Sequence, residues 1–164
     1  TYFFNGGEED PCEGEERELV PSPRDVPTYD HKPQMSAPGV AAAFAGRWRE
    51  HGPGFGIVNF ANPDMVGHTG VIPAAVTAVE TTDAALGEVV AAVHETGGAC
   101  VITADHGNAE QMIADDGVSP HTAHTTNRVP FIAIVAAGHV PDGELADLAP
   151  AVLALPDVTQ SETM

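Results

Sequence analysis

Three short segments of this sequence place aspartate and histidine side chains at spacings that suit a metal ion. Residues 62–70 have the sequence NPDMVGHTG, residues 103–108 TADHGN, and residues 121–127 HTAHTTN. Aspartate and histidine supply the oxygen and nitrogen ligands that suit borderline divalent ions such as Mn²⁺, Zn²⁺ and Fe²⁺. Two Asp-His pairs and a His-x-x-His segment in one chain therefore favour metal binding over three unrelated polar turns.

The spacing within each pair decides whether its two side chains can reach the same ion. Asp64 and His68 are four residues apart, which places both on one face of a helical turn. Asp105 and His106 are adjacent, so they converge on one ion only in a tight turn, which the glycine that follows them allows. His124 is a further candidate ligand for whichever of the two pairs needs one.

The other histidines and the few cations are weaker candidates. For His121 two interpretations stay open, a supporting residue of the metal site or an ordinary loop histidine. Four more histidines lie outside the three segments and are interpreted as ordinary surface or core residues: His31, His51, His94 and His139. Three of the scarce cations could bind a phosphate or carboxylate, but surface ion pairs are the favoured interpretation for them: Arg24, Lys32 and Arg128.

The elements that must position these residues alternate between strands and helices. Larger apolar residues recur at gaps of three, four and seven along residues 72–93, which predicts an amphipathic helix. The other predicted elements are strands at residues 2–4, 57–60, 99–103 and 129–135, and helices at residues 36–48, with Ser36 as N-cap, and 145–155. This order predicts an α/β fold with a mostly parallel sheet flanked by helices. Ligand sites in such sheets lie beyond the carboxyl ends of the strands, close to the Asp-His pairs.

Composition excludes several classes of partner. The 164 residues include 24 acidic and 6 basic ones, a net charge of −18, which argues against nucleic acid and against an anionic membrane surface. No apolar run is long enough to span a bilayer. Two cysteines do not make a disulfide framework, which favours the cytoplasm. The length of residues 1–164 indicates one domain or one portion of a larger domain. Residues 8–35 are predicted to form an extended acidic, proline-rich loop.

The three segments together resemble the cofactor-independent phosphoglycerate mutases of the alkaline phosphatase superfamily. The resemblance extends to further stretches along nearly the whole chain: residues 5–9 (NGGEE), 22–24 (SPR), 28–30 (TYD), 32–37 (KPQMSA) and 147–150 (DLAP). In combination these motifs are highly specific. One departure is the sequence NRVP at residues 127–130, where the family more commonly has NPVP.

The resemblance implies a fold, an activity and a ligand set. The fold is alkaline-phosphatase-like but incomplete, the carboxyl-terminal portion of the phosphatase domain without its amino-terminal strand and inserted substrate domain. The activity is that of an isomerase, an intramolecular phosphotransferase that interconverts 3-phosphoglycerate and 2-phosphoglycerate in glycolysis and gluconeogenesis. Two divalent cations are implied. Mn²⁺ is the preferred ion for both, and Zn²⁺ or another divalent ion is the alternative. Asp64, His68 and His124 match the ligands of the first ion, and Asp105 and His106 match ligands of the second.

The resemblance also implies that part of the catalytic machinery is missing. The family forms a phosphoserine intermediate, and none of four serines stands in its serine motif: Ser22, Ser36, Ser119 and Ser161. The implied partners are phosphoglycerate and the amino-terminal half of the same protein, in an intact enzyme that is a monomer. Two alternatives stay open. One is another enzyme of the superfamily, such as a phosphopentomutase, phosphatase or sulfatase; the other is a non-catalytic metal-binding or partner-binding module.

Because the nucleophile is missing, we expect the isolated chain to show little or no mutase activity. An assay that couples 2-phosphoglycerate formation to a measurable product checks this expectation. Turnover comparable to that of an intact mutase would contradict it.

Overall fold

The computed structural model describes residues 5–134 and 143–154 of the chain. The elements found there are, in chain order, α1 (Ala37–His51), α2 (Asn62–Gly67), α3 (Ile72–Glu95), β1 (Cys100–Thr103), β2 (Phe131–Ile134) and α4 (Leu148–Leu153). Short 3₁₀ helices stand at Tyr29–His31 and Leu145–Asp147. Helices and a small sheet agree with the predicted α/β class.

Helices α1 and α3 pack against each other through small side chains. Ala37 and Ala41 of α1 are buried with Ala85 and Val89 of α3, and larger apolar side chains close the edge of this cluster. Alanines at the contact let the two helices approach closely, so even a small increase in side-chain volume would be felt. The helix predicted for residues 36–48 is confirmed; it runs three residues further and ends at Gly52, whose φ of 56° suits glycine.

Helix α3 is confirmed, but its buried face is not the predicted stripe of larger apolar residues. Its buried residues are mostly alanines: Ala74, Ala75, Ala78, Ala85, Val89, Ala92 and Val93. In contrast, Ile72, Val76 and Val79 are 43%, 52% and 47% exposed. The contacts with α1 and α2 favour short side chains, and the larger residues buried on this helix are Val89 and Val93.

The two described strands pair antiparallel, where the sequence analysis expected a mostly parallel sheet. Cys100 lies opposite Ile134 and Thr103 opposite Phe131. A parallel pair needs a crossover connection, usually a helix. Residues 104–130, which join β1 to β2, contain no helix, so the chain returns along β1 in the opposite direction.

Two other predicted elements differ from the structure. Residues 57–60 were expected to form a strand but do not form one. Val58 and Phe60 instead pack against the cluster between α1 and α3. The final helix, predicted for residues 145–155, is split into a 3₁₀ turn and α4. The predicted strand at residues 2–4 and the end of that final helix lie outside the described residues.

Residues 8–35 contain only the 3₁₀ turn Tyr29–His31, and polar contacts fix them to the helices. Arg47 of α1 binds Glu16 and Glu18, at 3.1 and 2.7 Å. Ser36, predicted as the N-cap of α1, makes no capping bond, because its hydroxyl donates to the carbonyl of Pro21.

Two further ion pairs lie within this loop region. Lys32 pairs with Asp25 at 2.9 Å, as expected for a surface cation. A hydrogen bond from Arg17 is the main cause that lowers the pKa of Glu15 to about 2. None of the helices in the described ranges is both long and apolar enough to cross a membrane.

The contact between α1 and α3 predicts the effect of overpacking. Ala41 is completely buried there, so Ala41→Leu should destabilise the chain by about 1–3 kcal/mol. Ala42 is exposed on the same helix, and Ala42→Leu should change the free energy of unfolding by less than about 0.5 kcal/mol. Urea denaturation measures both variants. Equal effects at the two positions would show that the helices do not meet at Ala41.

Candidate metal centre

Helix α2 places Asp64 and His68 together, as their spacing predicts. The His68 backbone N–H bonds to the Asp64 carbonyl at 3.1 Å, so the two residues are one helical turn apart. The start of α2 is held by Asn62, a buried side chain whose amide donates to the carbonyls of Pro33 and Gln34 at 2.9 and 2.7 Å. The long loop before α1 therefore anchors the helix that presents these two side chains.

His124 completes a cluster of three candidate ligands. Asp64 Oδ1 lies 3.1 Å from Nε2 of His68 and 3.1 Å from Nε2 of His124. The two Nε2 atoms are also 3.1 Å apart. Ligand atoms that surround a tetrahedral ion at about 2.1 Å are separated by roughly 3.4 Å, so this triangle is close to the size that an ion requires.

A backbone carbonyl beside His68 selects the ring nitrogen that can face a metal ion. Its Nδ1 lies 2.6 Å from the carbonyl oxygen of Thr122, and only a protonated Nδ1 can donate to that oxygen. In the neutral imidazole that a metal ion requires, the proton is then on Nδ1, and Nε2 is the atom with a lone pair for the ion. A backbone carbonyl that orients a histidine in this way is a common support of metal ligands. The three residues thus fit a divalent cation in chemistry as well as in distance.

Asn108 supports the same centre from a buried position. Its side-chain amide donates to Asp64 Oδ1 at 2.9 Å and lies 3.3 Å from His68 Nε2. Space for it depends on Gly67, because a Cβ on that residue would collide with the Asn108 Oδ1 atom. A glycine is therefore required in α2 at the point where the Asn108 side chain passes.

The second predicted pair, Asp105 and His106, lies beside this cluster. Among the described residues the pair does not form a three-ligand group of its own. His106 Nε2 is 3.6 Å from Asp105 Oδ1, and the Asp105 side chain is 90% exposed. His106 Nδ1 is buried without a hydrogen-bond partner, 4.0 Å from Asp64 Oδ1. The His106 ring stacks on that of His124, with centroids 3.8 Å apart. A second ion bound by this pair stays a prediction.

His121 contacts the neighbouring loop and is not part of the three-ligand cluster. Its Nδ1 is 3.0 Å from the carbonyl oxygen of Gln111, and its backbone N–H donates to Met112. These contacts hold the segment that includes His124. Sequence reasoning missed the contributions of Asn108 and Thr122, since a contact between loops distant in the chain leaves no periodic pattern.

The geometry predicts a divalent-ion site that depends on His68. After chelator treatment, Mn²⁺ titrated into the chain should bind at this site, and His68→Ala should remove that binding because one ligand is lost. His94→Ala is the control, because His94 is an exposed histidine at the end of α3. Calorimetry measures the affinity. Binding that is the same in the His68 variant and in the control would rule this site out.

Several known proteins have similar sequences. A family model described as the metalloenzyme superfamily matches residues 1–158. The whole chain is 52% identical to the 2,3-bisphosphoglycerate-independent phosphoglycerate mutase of Rhodopseudomonas palustris and 50% identical to that of Chloroflexus aurantiacus. It spans only 32% of the length of each of these relatives.

A solved structure supports the same relationship. Phosphoglycerate mutase from Leishmania mexicana, determined at low cobalt concentration, matches with a TM-score of 0.76 and 34% sequence identity. The match covers 83% of this chain and 27% of that one. The family match over nearly the whole chain, together with the Asp64, His68 and His124 cluster, shows that this chain belongs to the metalloenzyme superfamily.

Proposed function

We propose that this chain forms part of a metal-dependent phosphoglycerate mutase that interconverts 3-phosphoglycerate and 2-phosphoglycerate without 2,3-bisphosphoglycerate. The observation that supports it most is the meeting of Asp64, His68 and His124 within 4.8 Å of one another. They lie in a segment that is about 50% identical to enzymes of that name. Because the chain spans a third of those relatives, the complete activity belongs to the proposal.

We further propose Mn²⁺ as the ion held by these three residues, with Asp105 and His106 contributing to a second ion beside it. When bound, such an ion would offset the negative charge of a phosphoryl group and would lower the pKa of a coordinated hydroxyl. The chain's part is to present a carboxylate oxygen and two imidazole nitrogens in a fixed arrangement. The Thr122 carbonyl fixes the ring of His68.

The nucleophile and most of the groups that bind the substrate belong, in this proposal, to residues outside this sequence. Two of the chain's serines support that view, because their hydroxyls are engaged locally. Ser36 donates to the Pro21 carbonyl, and Ser119 donates to Asp116. Neither hydroxyl is directed toward the three ligands by these bonds.

A cytoplasmic location goes with the same proposal. Both cysteines, Cys12 and Cys100, are free thiols in the structure. Free thiols are the usual state of cysteine in a reducing compartment.

A chimeric enzyme tests the proposed function. The segment of the Rhodopseudomonas palustris enzyme that aligns with this chain is replaced by this chain, and isomerisation is measured in a coupled assay without 2,3-bisphosphoglycerate. We expect activity that a chelator removes and Mn²⁺ restores. Asp64→Ala should lower it by at least about 100-fold, because a bound ion supplies several kcal/mol of charge stabilisation. The matched control Asp83→Ala, an exposed aspartate on α3, should leave activity unchanged.

Two other outcomes would contradict the proposal. A folded chimera that binds metal but releases inorganic phosphate, with no isomerisation, would support a phosphatase of the same superfamily. A folded chimera that binds metal and has no phosphoryl-transfer chemistry would support a non-catalytic metal-binding module.

A further inference from the structure

The carboxylate of Glu110 receives three hydrogen bonds from both sides of the connection between β1 and β2. Its Oε2 accepts the backbone N–H of Asn108 at 2.6 Å. Its Oε1 accepts the hydroxyl of Thr125 and the side-chain amide of Asn127, the latter at 3.0 Å. The hydrogen bond from Thr125 is the main cause that lowers the pKa of this carboxyl, so it is ionised at neutral pH.

These bonds join two segments that each contribute to the metal centre. The first, residues 105–112, contains the Asn108 side chain that donates to Asp64. The second, residues 121–127, contains His124. A backbone bond from Thr125 N–H to the Gly107 carbonyl at 2.8 Å runs beside the carboxylate. Glu110 thus lies at the point where hydrogen bonds connect the two segments.

His124 needs such a support because burial does not hold it. Its side chain is 50% exposed, and apart from ring contacts with His106 and His68 little packing holds it opposite Asp64. Thr125, the next residue, is bound by the Glu110 carboxylate and by the Gly107 carbonyl. Hydrogen bonds to an ionised group are roughly twice as strong as neutral ones. Fixing Thr125 therefore limits the positions that His124 can adopt.

We propose that Glu110 is a positioning residue of the metal centre, which holds His124 opposite Asp64 and His68 by binding Asn108 on one side and Thr125 on the other. This inference rests on the proposed function, in which the three ligands bind a divalent ion. Glu110 itself is not one of the three candidate ligands.

The fit around Gly107 supports the same role. Gly107 is buried, and a Cβ there would collide with the Thr125 hydroxyl and with the Glu110 carboxylate. The contact between the two segments therefore has no room for a side chain at this position. Gly107→Ala should separate the segments without altering any of the bonding groups.

The test is a titration of Co²⁺ into the chelator-treated 164-residue chain and its variants. Calorimetry gives the Kd, and the visible absorption of bound Co²⁺ reports the coordination geometry. Glu110→Ala should raise the Kd about 10- to 100-fold, the usual cost of losing a group that supports a metal ligand, and should change the spectrum. Gly107→Ala should have the same direction of effect.

The conservative variant and a matched control separate positioning from stability. Glu110→Gln should restore part of the affinity. The oxygen of the glutamine amide can still accept a hydrogen bond, but its NH₂ group cannot accept one from the Asn127 amide. Glu95→Ala removes a carboxylate that is hydrogen-bonded to Arg49 at 2.7 and 3.1 Å, between α3 and α1. That control should leave the Kd and the spectrum unchanged.

The outcomes distinguish this inference from the proposal on which it rests. A role in stability alone would lower the melting temperature and the fraction of chain that binds, while the Kd and spectrum of the bound fraction stayed constant. That result in Glu110→Ala would overturn the positioning role and leave the metal centre intact. If the unsubstituted chain bound no Co²⁺, the metal centre itself would be wrong, and the role of Glu110 with it.

Discussion

The site depends on one electrostatic arrangement, the meeting of a carboxylate oxygen and two imidazole nitrogens in the space of a single ion. The three atoms are each 3.1 Å from the other two. The Nδ1 atom of His68 faces a backbone carbonyl, so in the neutral imidazole Nε2 is the nitrogen whose lone pair faces the other two atoms. Electron-rich atoms at this distance repel one another unless a proton or a metal cation lies between them. A divalent ion would satisfy all three atoms at once.

The surrounding fold is organised to bring these atoms together from separate parts of the chain. Val66, in the same short helix as Asp64, is fully buried against Ala74, Ala75 and Ala78 of α3. The contact fixes α2 on the longest helix of the described residues. His124 arrives from the loop between the two strands, which is held by polar contacts. A core of small residues thus supports two of the ligands, and hydrogen bonds support the third.

The sequence predicted what depends on local spacing and failed where contacts are long-range. Asp64 and His68 could be paired because a helical turn fixes their relation. Which pair His124 joins could not be deduced from the residues alone, since its place depends on how two loops meet; the resemblance to a family supplied it. The antiparallel pairing of β1 with β2 and the buried face of α3 differ from the expectation for a related reason. Both depend on which element packs alongside, and Glu110 escaped notice because its three donors are scattered in sequence.

The most direct test of the central claim is anomalous diffraction at the manganese edge from crystals of the chain grown with Mn²⁺. The account predicts an anomalous peak at bonding distance, about 2.0–2.2 Å, from Asp64 Oδ1 and from Nε2 of both His68 and His124. A structure with the fold described above, in which no peak lies between these three atoms, would contradict it.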